Sequence, residues 1–226
     1  MNWEETIMHA RKTDEYRQLV EDAYLGDDLK RNVETFKSSE EFAETLNLVK
    51  AHHPDFGKNP QLRLLDLGAG NGISSIAFAL KGFQVTAVEP DPSSTVGAGA
   101  IAELKDMYGL STLQVSSFYG ESLGFPDASF DIVYARQAMH HAADLEMFVK
   151  EISRILKSKG LLITCRDHVV NDEKQKEDFL KAHPFQKFYH GENAFSLNEY
   201  KEAFSKAGLS VLAELGHLDS VINYSP

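Results

Sequence analysis

The chain has 226 residues, 42% of them hydrophobic and 25% charged, which suits one folded domain with a sizeable core. Its formal net charge of -11 disfavours electrostatic binding to nucleic acid or to an anionic membrane, so we expect neither as a partner. Cys165 is the only cysteine, which excludes a disulfide framework and a cysteine-built zinc site, and we predict no metal. A polar amino terminus and apolar runs far shorter than ~20 residues predict a cytoplasmic protein without membrane insertion.

The first sixty residues are predicted to be helical. Apolar residues recur at helical spacing in DEYRQLVEDAYL, from Tyr16 to Tyr24. The stretch SSEEFAETLNLVKAHHP repeats the pattern, and Pro54 ends it. We therefore expect an N-terminal helical cap over residues 1–58 and the main domain over residues 59–226.

From Gln61 onward, short β-rich runs alternate with helical segments. The predicted strands are LRLLDL, QVTAVEP, TLQVSS, FDIVYAR and GLLITC. Strands that alternate with helices imply right-handed crossovers and a parallel sheet covered on both faces, so the fold class is doubly wound α/β. The tail, SVLAELGHLDSVINYSP, is predicted to form two adjacent strands that make an antiparallel edge on an otherwise mostly parallel sheet.

The segment HPFQKFYHGENAF, about residues 183–196, interrupts this pattern and is predicted to be an insertion or a lid. Its aromatic and polar side chains are Phe185, Phe188, Tyr189, Phe195, Lys187 and His190. Such a mixture suits an apolar acceptor pocket with a few polar anchors, and it suits a mobile lid equally well.

The stretch LLDLGAGNG places three glycines directly after the first strand. In an open α/β sheet, ligands bind outside the carboxyl ends of the strands, where glycines let a ligand rest against bare backbone. The spacing is G-x-G-x-G, and Ile73 stands after it, whereas the dinucleotide fingerprint is G-x-G-x-x-G. Asp66 ahead of the loop favours a ligand with a positive centre, and Glu89 at the end of the second strand can accept both hydroxyls of a ribose.

The segments LLDLGAGNG, AVEP, ESLGFPDASFDIVYARQAMHH and LKSKGLLIT, in this order, resemble class I S-adenosylmethionine-dependent methyltransferases. The most similar branch is the small methyltransferases with an LPF-x-D-x-SFD signature, and the resemblance covers about residues 60–166. It implies a Rossmann-like, seven-stranded fold, S-adenosylmethionine as methyl donor and S-adenosylhomocysteine as product. The implied reaction is in-line methyl transfer to a small-molecule acceptor with an oxygen or nitrogen nucleophile, and a carbon nucleophile stays open.

The resemblance also implies which residues bind the cofactor. They are Asp66, Gly68, Ala69, Gly70, Asn71, Glu89, Pro90, Phe118, Tyr119, Gly120, Arg136 and Gln137. The chain departs from the family pattern at three of its positions. Tyr119 stands where an acid usually accepts from the adenine amino group, Gly120 replaces an alanine, and Gly124 replaces a proline. We expect Tyr119 to stack on adenine or to form a hydrogen bond with it.

Three histidines follow predicted strands: His140 and His141 after FDIVYAR, and His168 after GLLITC. A hydroxyl or ammonium acceptor must lose a proton, and histidine suits that task at neutral pH. His141 and His168 are therefore the catalytic candidates. A structural role for the His140–His141 pair, and a simple loop pairing of His168 with Asp167, stay open.

Two other functions stay open at this point. One is a nicotinamide-dependent oxidoreductase on the same sheet, which Ile73 disfavours because the third fingerprint glycine is missing. The other is a non-enzymatic module that binds S-adenosylmethionine, which Tyr119 keeps open as a departure within the pocket. The oligomeric state is predicted only as monomer or homodimer.

Overall fold

The structure is a computed structural model that describes residues 3–58, 61–183, 186, 192–216 and 218–223. The helices are α1 (Trp3–Lys12), α2 (Asp14–Tyr24), α3 (Leu29–Lys37), α4 (Glu40–His52), α5 (Ile73–Leu80), α6 (Ala98–Met107), α7 (Leu145–Ile155), α8 (Glu173–Ala182) and α9 (Leu197–Lys206). The strands are β1 (Arg63–Leu67), β2 (Gln84–Val88), β3 (Gln114–Ser116), β4 (Phe130–Arg136), β5 (Leu156–Cys165), β6 (Val169–Val170) and β7 (Phe195–Ser196). Within the described ranges, no helix is long and apolar enough to cross a lipid bilayer.

The central sheet of the described chain has five strands in the order β3-β2-β1-β4-β5. Every pairing between them is parallel, which confirms the predicted doubly wound α/β class. β1 lies between β2 and β4 in the sheet. The connection from β1 leads to one side of it, and the connection from β3 to β4 leads to the other, so the two connections diverge beside β1. Such a divergence opens a crevice at the carboxyl ends of the strands.

Alternate residues of the buried strands pack into different cores. Leu64 of β1 packs in a core on one face, and Leu65 packs in a core on the other. Successive side chains of a strand point to opposite faces of a sheet, so apolar residues at both positions require helices on both faces. The cap helices extend the first core, because Phe42 of α4 contacts Phe78 of α5 with ring centroids 5.1 Å apart. The predicted helical cap is therefore packed on the sheet domain.

Five of the described helices begin at side-chain caps. Asp28, Ser39, Asp144 and Asp172 each accept a hydrogen bond from a backbone N–H in the first turn of α3, α4, α7 and α8. Ser196 forms a capping box with Glu199 at the start of α9. Caps of this kind satisfy backbone donors that the helix itself leaves unpaired.

A short parallel pairing places the end of the insertion region beside the chain that follows β5. Val169 of β6 pairs with Phe195 of β7, so the chain after residue 192 lies beside the exit of β5. Five side chains of the predicted insertion, those of Phe185, Lys187, Phe188, Tyr189 and His190, lie outside the described residues. The prediction of a lid there stays a prediction.

The predicted antiparallel edge is wrong for the described tail. Residues 209–216 have no regular secondary structure, and Val221–Asn223 is a 3₁₀ turn that contacts α4. The physical reason is the broken alternation of the apolar residues: Val211 and Leu212 are adjacent, and both are more than half exposed. Such a run gives no single apolar face to bury against the sheet. In the described part of the chain, β3 and β5 are the two edge strands of the central sheet. This sheet has five strands, whereas the resemblance implies seven.

Candidate active site

A cavity of about 630 Å³ opens at the carboxyl ends of β1, β2 and β4. Its wall includes Gly68, Ala69, Gly70, Asn71, Glu89, Pro90, Phe118, Tyr119, Gly120, Arg136, Gln137, His141 and His168. These are all of the predicted site residues except Asp66. Tyr24, Phe148, Arg166, His140, His183 and Glu192 also line it. Tyr24 comes from the cap, and Glu192 comes from the segment before β7.

The glycine loop lies along the cavity as bare backbone. Gly68, Gly70 and Gly72 have φ values of 70°, 54° and 84°, a left-handed conformation that favours glycine. A Cβ on Gly68 would lie 2.6 Å from the Cβ of Ala138, which follows β4. A Cβ on Gly70 would lie 3.0 Å from the Tyr24 ring. The loop is therefore confined between the turn after β4 and the cap, and a ligand in the cavity meets main chain.

Glu89 ties the end of β2 to this loop. Its Oε2 accepts the Gly70 N–H at 2.8 Å, and its Oε1 accepts the Asp91 N–H at 2.9 Å. Burial raises the pKa of Glu89 to about 7. Each carboxylate oxygen can accept more than one hydrogen bond, so Glu89 can still receive ligand hydroxyls in the cavity.

Asp66 lies behind the loop and not on the cavity wall. Its Oδ2 accepts the hydroxyls of Ser74 and Ser75 at 2.7 and 2.5 Å, and burial raises its pKa. Both serines belong to the first turn of α5, so the carboxylate fixes the start of that helix. In the structure Asp66 therefore holds the first turn of α5 in place, whereas the resemblance implies that it contacts the cofactor.

The segment after β3 explains two of the departures from the family pattern. A Cβ on Gly120 would lie 1.9 Å from the Phe148 ring, so that ring occupies the space an alanine methyl would need. A Cβ on Gly124 would likewise lie 2.5 Å from the Phe118 ring. Tyr119 is 70% exposed at the cavity mouth, where its ring is accessible to a planar ligand.

Arg136 at the end of β4 is held by a glutamate of the cap. Its Nε and Nη2 donate to Glu41 Oε1 and Oε2 at 2.6 and 3.2 Å, and Arg166 Nη1 donates to the same Oε2 at 3.0 Å. Glu41 is fully buried. Sequence reasoning missed Glu41, because an acid in the first turn of an amphipathic helix is ordinarily exposed and stabilises the helix N-terminus.

Imidazoles form the wall beyond the turn after β4. His140 Nδ1 lies 2.9 Å from Asp167 Oδ1, which also accepts the His140 backbone N–H at 3.0 Å. Asp167 Oδ2 accepts the Thr164 hydroxyl at 2.6 Å. The rings of His140 and His168 have centroids 4.7 Å apart. Burial lowers the pKa of His140, and it lowers the pKa of His168 to about 4.

Glu192 brings a buried carboxylate among these rings, with its side chain only 2% exposed. Its Oε2 lies 3.6 Å from His140 Nε2 and 3.9 Å from His141 Nδ1, and its Oε1 lies 3.9 Å from His183 Nδ1. Sequence reasoning missed Glu192 and His183, because the segment that holds them shows no periodic pattern. The candidate catalytic residues His141 and His168 both lie on the cavity wall, as expected for strand exits.

The comparisons with known proteins agree with this geometry. A family model described as a methyltransferase domain matches residues 15–214. The uncharacterized methyltransferase YcgJ of Bacillus subtilis is 29% identical over 158 residues, which cover 66% of this chain and 57% of that protein. A ubiquinone biosynthesis O-methyltransferase of Rickettsia prowazekii is 28% identical over 51% of this chain and 42% of that protein. The chain thus spans about half the length of these two relatives.

Solved structures show the same fold. The crystal structure of YcgJ matches with a TM-score of 0.62 and 27% identity, over 74% of this chain and 69% of that one. Geranyl diphosphate C-methyltransferase of Streptomyces coelicolor, solved with Mg²⁺, geranyl diphosphate and S-adenosylhomocysteine, matches with a TM-score of 0.64 and 17% identity. That match covers 80% of this chain and 67% of that one, and it shows the fold alone. Because the family model spans most of the chain and the sheet carries the glycine loop at its divergence, the chain belongs to the class I S-adenosylmethionine-dependent methyltransferases.

Proposed function

We propose that this chain transfers a methyl group from S-adenosylmethionine to a small-molecule acceptor through an oxygen or nitrogen nucleophile. The observation that carries this proposal is the composition of the cavity. One end is bare glycine backbone beside a carboxylate, Glu89, and the other end is a group of imidazoles. The first end suits an adenosyl ligand, and the second suits an acceptor that must lose a proton.

The residues at the first end fit the cofactor. Glu89 would receive the ribose hydroxyls, and the loop from Gly68 to Gly70 would lie against the amino-acid portion. Pro90 and Phe118 line the same cavity and offer apolar surface for adenine, with Tyr119 at its mouth. When bound, S-adenosylmethionine supplies a methyl carbon that the adjacent sulfonium makes electrophilic. The protein then has to align the acceptor with that carbon, a contribution of roughly 7–11 kcal/mol in favourable cases.

We propose His141 and His168 as the groups that receive the acceptor proton. Both line the cavity, whereas the Nδ1 of His140 lies 2.9 Å from Asp167 Oδ1. His141 is 39% exposed, which gives a proton a path from this side chain to water. The cavity volume is in the range of small-molecule pockets, which supports a small acceptor.

Calorimetry with S-adenosylhomocysteine tests the cofactor assignment. We expect micromolar binding to the full chain and at least tenfold weaker binding to Glu89→Ala, because charge-assisted hydrogen bonds contribute about 1.5–3 kcal/mol. Glu103→Gln, a change at an exposed acid of α6, is the control that should bind normally. Binding of NAD or NADP in place of S-adenosylhomocysteine would contradict the cofactor assignment.

Turnover tests the enzymatic part of the proposal. Labelled S-adenosylmethionine should transfer its methyl group to at least one member of a panel of small hydroxyl and amine compounds. Tight cofactor binding with no transfer to any member would favour the non-enzymatic module instead. The cytoplasmic location and the monomer or homodimer state stay predictions from the sequence.

A further inference from the structure

We propose that His140, His141 and Glu192 form a site for a divalent transition-metal cation, with zinc as the best match, at the acceptor end of the cavity. The ligand atoms of the three side chains lie within 4.8 Å of one another. Two imidazole nitrogens and one carboxylate oxygen form a ligand set that zinc accepts, whereas magnesium and calcium prefer oxygen ligands.

The spacing of the donor atoms is close to that of a coordinated set. Glu192 Oε2 lies 3.6 Å from His140 Nε2 and 3.9 Å from His141 Nδ1. Two ligands bonded at ~2.1 Å to one tetrahedral ion are roughly 3.4 Å apart. The two pairs that include Glu192 therefore need to approach by only a few tenths of an ångström, and the remaining pair, His140 with His141, lies within 4.8 Å. His141 is partly exposed, so its ring has room to make that adjustment.

Asp167 orients His140 for this role. The Nδ1 of His140 lies 2.9 Å from Asp167 Oδ1, which leaves Nε2 facing Glu192. Asp167 is itself fixed by the Thr164 hydroxyl and by the His140 backbone N–H. A carboxylate on the far nitrogen is the usual partner of a metal-binding imidazole, because it fixes the ring and raises its basicity.

The burial of Glu192 also calls for a cation. A buried carboxylate is costly unless a positive charge or a metal compensates it. In the part of the chain that the structure describes, every ion-pair partner of Glu192 is an imidazole, of His140, His141 or His183. Arg166, a guanidinium on the same cavity wall, is bonded to Glu41 instead. A divalent cation at Glu192 Oε2 would supply the compensating charge.

The placement of the site suggests its use. All three side chains line the cavity, so the coordination position they leave faces the space for the acceptor. A catalytic zinc site typically has three protein ligands and one open position, which a water or a substrate atom fills. The cation would hold the acceptor by its nucleophilic oxygen or nitrogen and make that group more acidic. His141 would then be a ligand, so the acceptor proton would pass to His168, which also lines the cavity. This role rests on the proposed function, whereas metal binding itself does not.

Titration of chelator-treated full-length protein with Zn²⁺ and with Co²⁺ tests the proposal. We expect one equivalent of Zn²⁺ by calorimetry and, for Co²⁺, the intense visible absorption of a four-coordinate ion. Glu192→Gln keeps the side-chain shape and should weaken Zn²⁺ binding at least tenfold. Asp167→Asn should weaken it by about 10–100-fold, the usual effect of losing such a partner. Glu103→Gln should leave it unchanged.

Thermal unfolding followed by circular dichroism establishes that each variant is folded, and S-adenosylhomocysteine binding is measured on the same samples. Failure of Zn²⁺ to bind, or binding that Glu192→Gln leaves intact, would overturn the metal site. In either case, normal S-adenosylhomocysteine binding would show that the proposed function survives. Zn²⁺ binding that depends on Glu192 supports the site even if the cofactor does not bind.

Discussion

The backbone N–H of Gly70 and the carboxylate of Glu89 lie 2.8 Å apart, so two segments distant in sequence meet at one edge of the cavity. The parallel register produces this contact, because Leu67 at the end of β1 pairs with Val88 at the end of β2. The Gly68 N–H then donates to the Val88 carbonyl at 2.9 Å and sets the direction of the loop. If the cofactor binds at this edge as proposed, its recognition depends on backbone shape as well as on charge.

Substitution of Gly70 by valine tests the role of backbone shape. A Cβ there would be only 3.0 Å from the Tyr24 ring, at a φ of 54° that β-branched residues avoid. We expect Gly70→Val to weaken S-adenosylhomocysteine binding at least a hundredfold in calorimetry, because about 2.7 kcal/mol of contact would be lost. The left-handed conformation costs roughly 1–2 kcal/mol, so the sheet should remain folded.

Gly82→Val is the matched control for this variant. Gly82 also has a positive φ, of 96°, but a Cβ there meets nothing within 4 Å, and Gly82 is not on the cavity wall. It should cost similar stability in denaturant unfolding and leave cofactor binding intact. Normal binding by Gly70→Val would show that the loop does not contact the cofactor.

The pKa of Glu89 predicts a definite pH dependence of the cofactor affinity. Burial raises this pKa to about 7, so the carboxylate that we propose receives the ribose hydroxyls forms only as the pH rises through 7. The affinity for S-adenosylhomocysteine should therefore be about tenfold lower at about pH 6 than at about pH 8. In Glu89→Gln the amide does not titrate, and the affinity should be weak and nearly constant over this range. An equal slope in both proteins would assign the titration to another group.

At the scale of elements, Glu41 connects the cap to the sheet. Helix α4 carries it into the exits of β4 and β5, where it binds Arg136 and Arg166. The loss of one partner from a buried ion pair leaves an uncompensated charge. The cap is thus held to the sheet by buried charge as well as by the aromatic core.

Removal of the Glu41 carboxylate should be strongly destabilising. Glu41→Ala leaves two guanidinium groups without their shared acceptor, and we expect the free energy of unfolding to fall by about 3–5 kcal/mol in urea titration. Glu44→Ala, one turn further along α4 and less buried, should change it by less than about 0.5 kcal/mol. Equal effects of the two substitutions would show that the buried pair does not stabilise the cap.

The elements differed in how far sequence could predict them. β1 and β4 were predictable, because helices bury both of their faces and apolar residues therefore occupy adjacent positions in their sequences. In β1, for example, Leu64 packs in the core on one face and Leu65 in the core on the other. The tail was not, because Val211 and Leu212 have strand propensity but no single apolar face. Strand propensity alone does not specify a strand when the apolar side chains have no core to pack against.

At the scale of the whole molecule, the two ends of the cavity also differ in how far the sequence could predict them. The end with the glycine loop could be predicted from local chemistry, since the glycines and an acid at a strand end are visible in the sequence, and the structure gives those glycines positive φ values. The acceptor end depends on tertiary contacts between distant segments, as when Glu41 reaches Arg136 across 95 residues. Glu192 reaches the imidazoles in a comparable way, and no spacing in the sequence indicates it. The cap boundary at residue 58 stays a prediction.

A crystal structure of this chain with S-adenosylhomocysteine would locate the cofactor within the cavity. We expect the ribose hydroxyls on the Glu89 carboxylate, the amino-acid portion along Gly68 to Gly70, and the sulfur facing the imidazole wall at His141 and His168. A ligand bound outside this cavity, or one whose ribose lies away from Glu89, would rule out the proposed cofactor site.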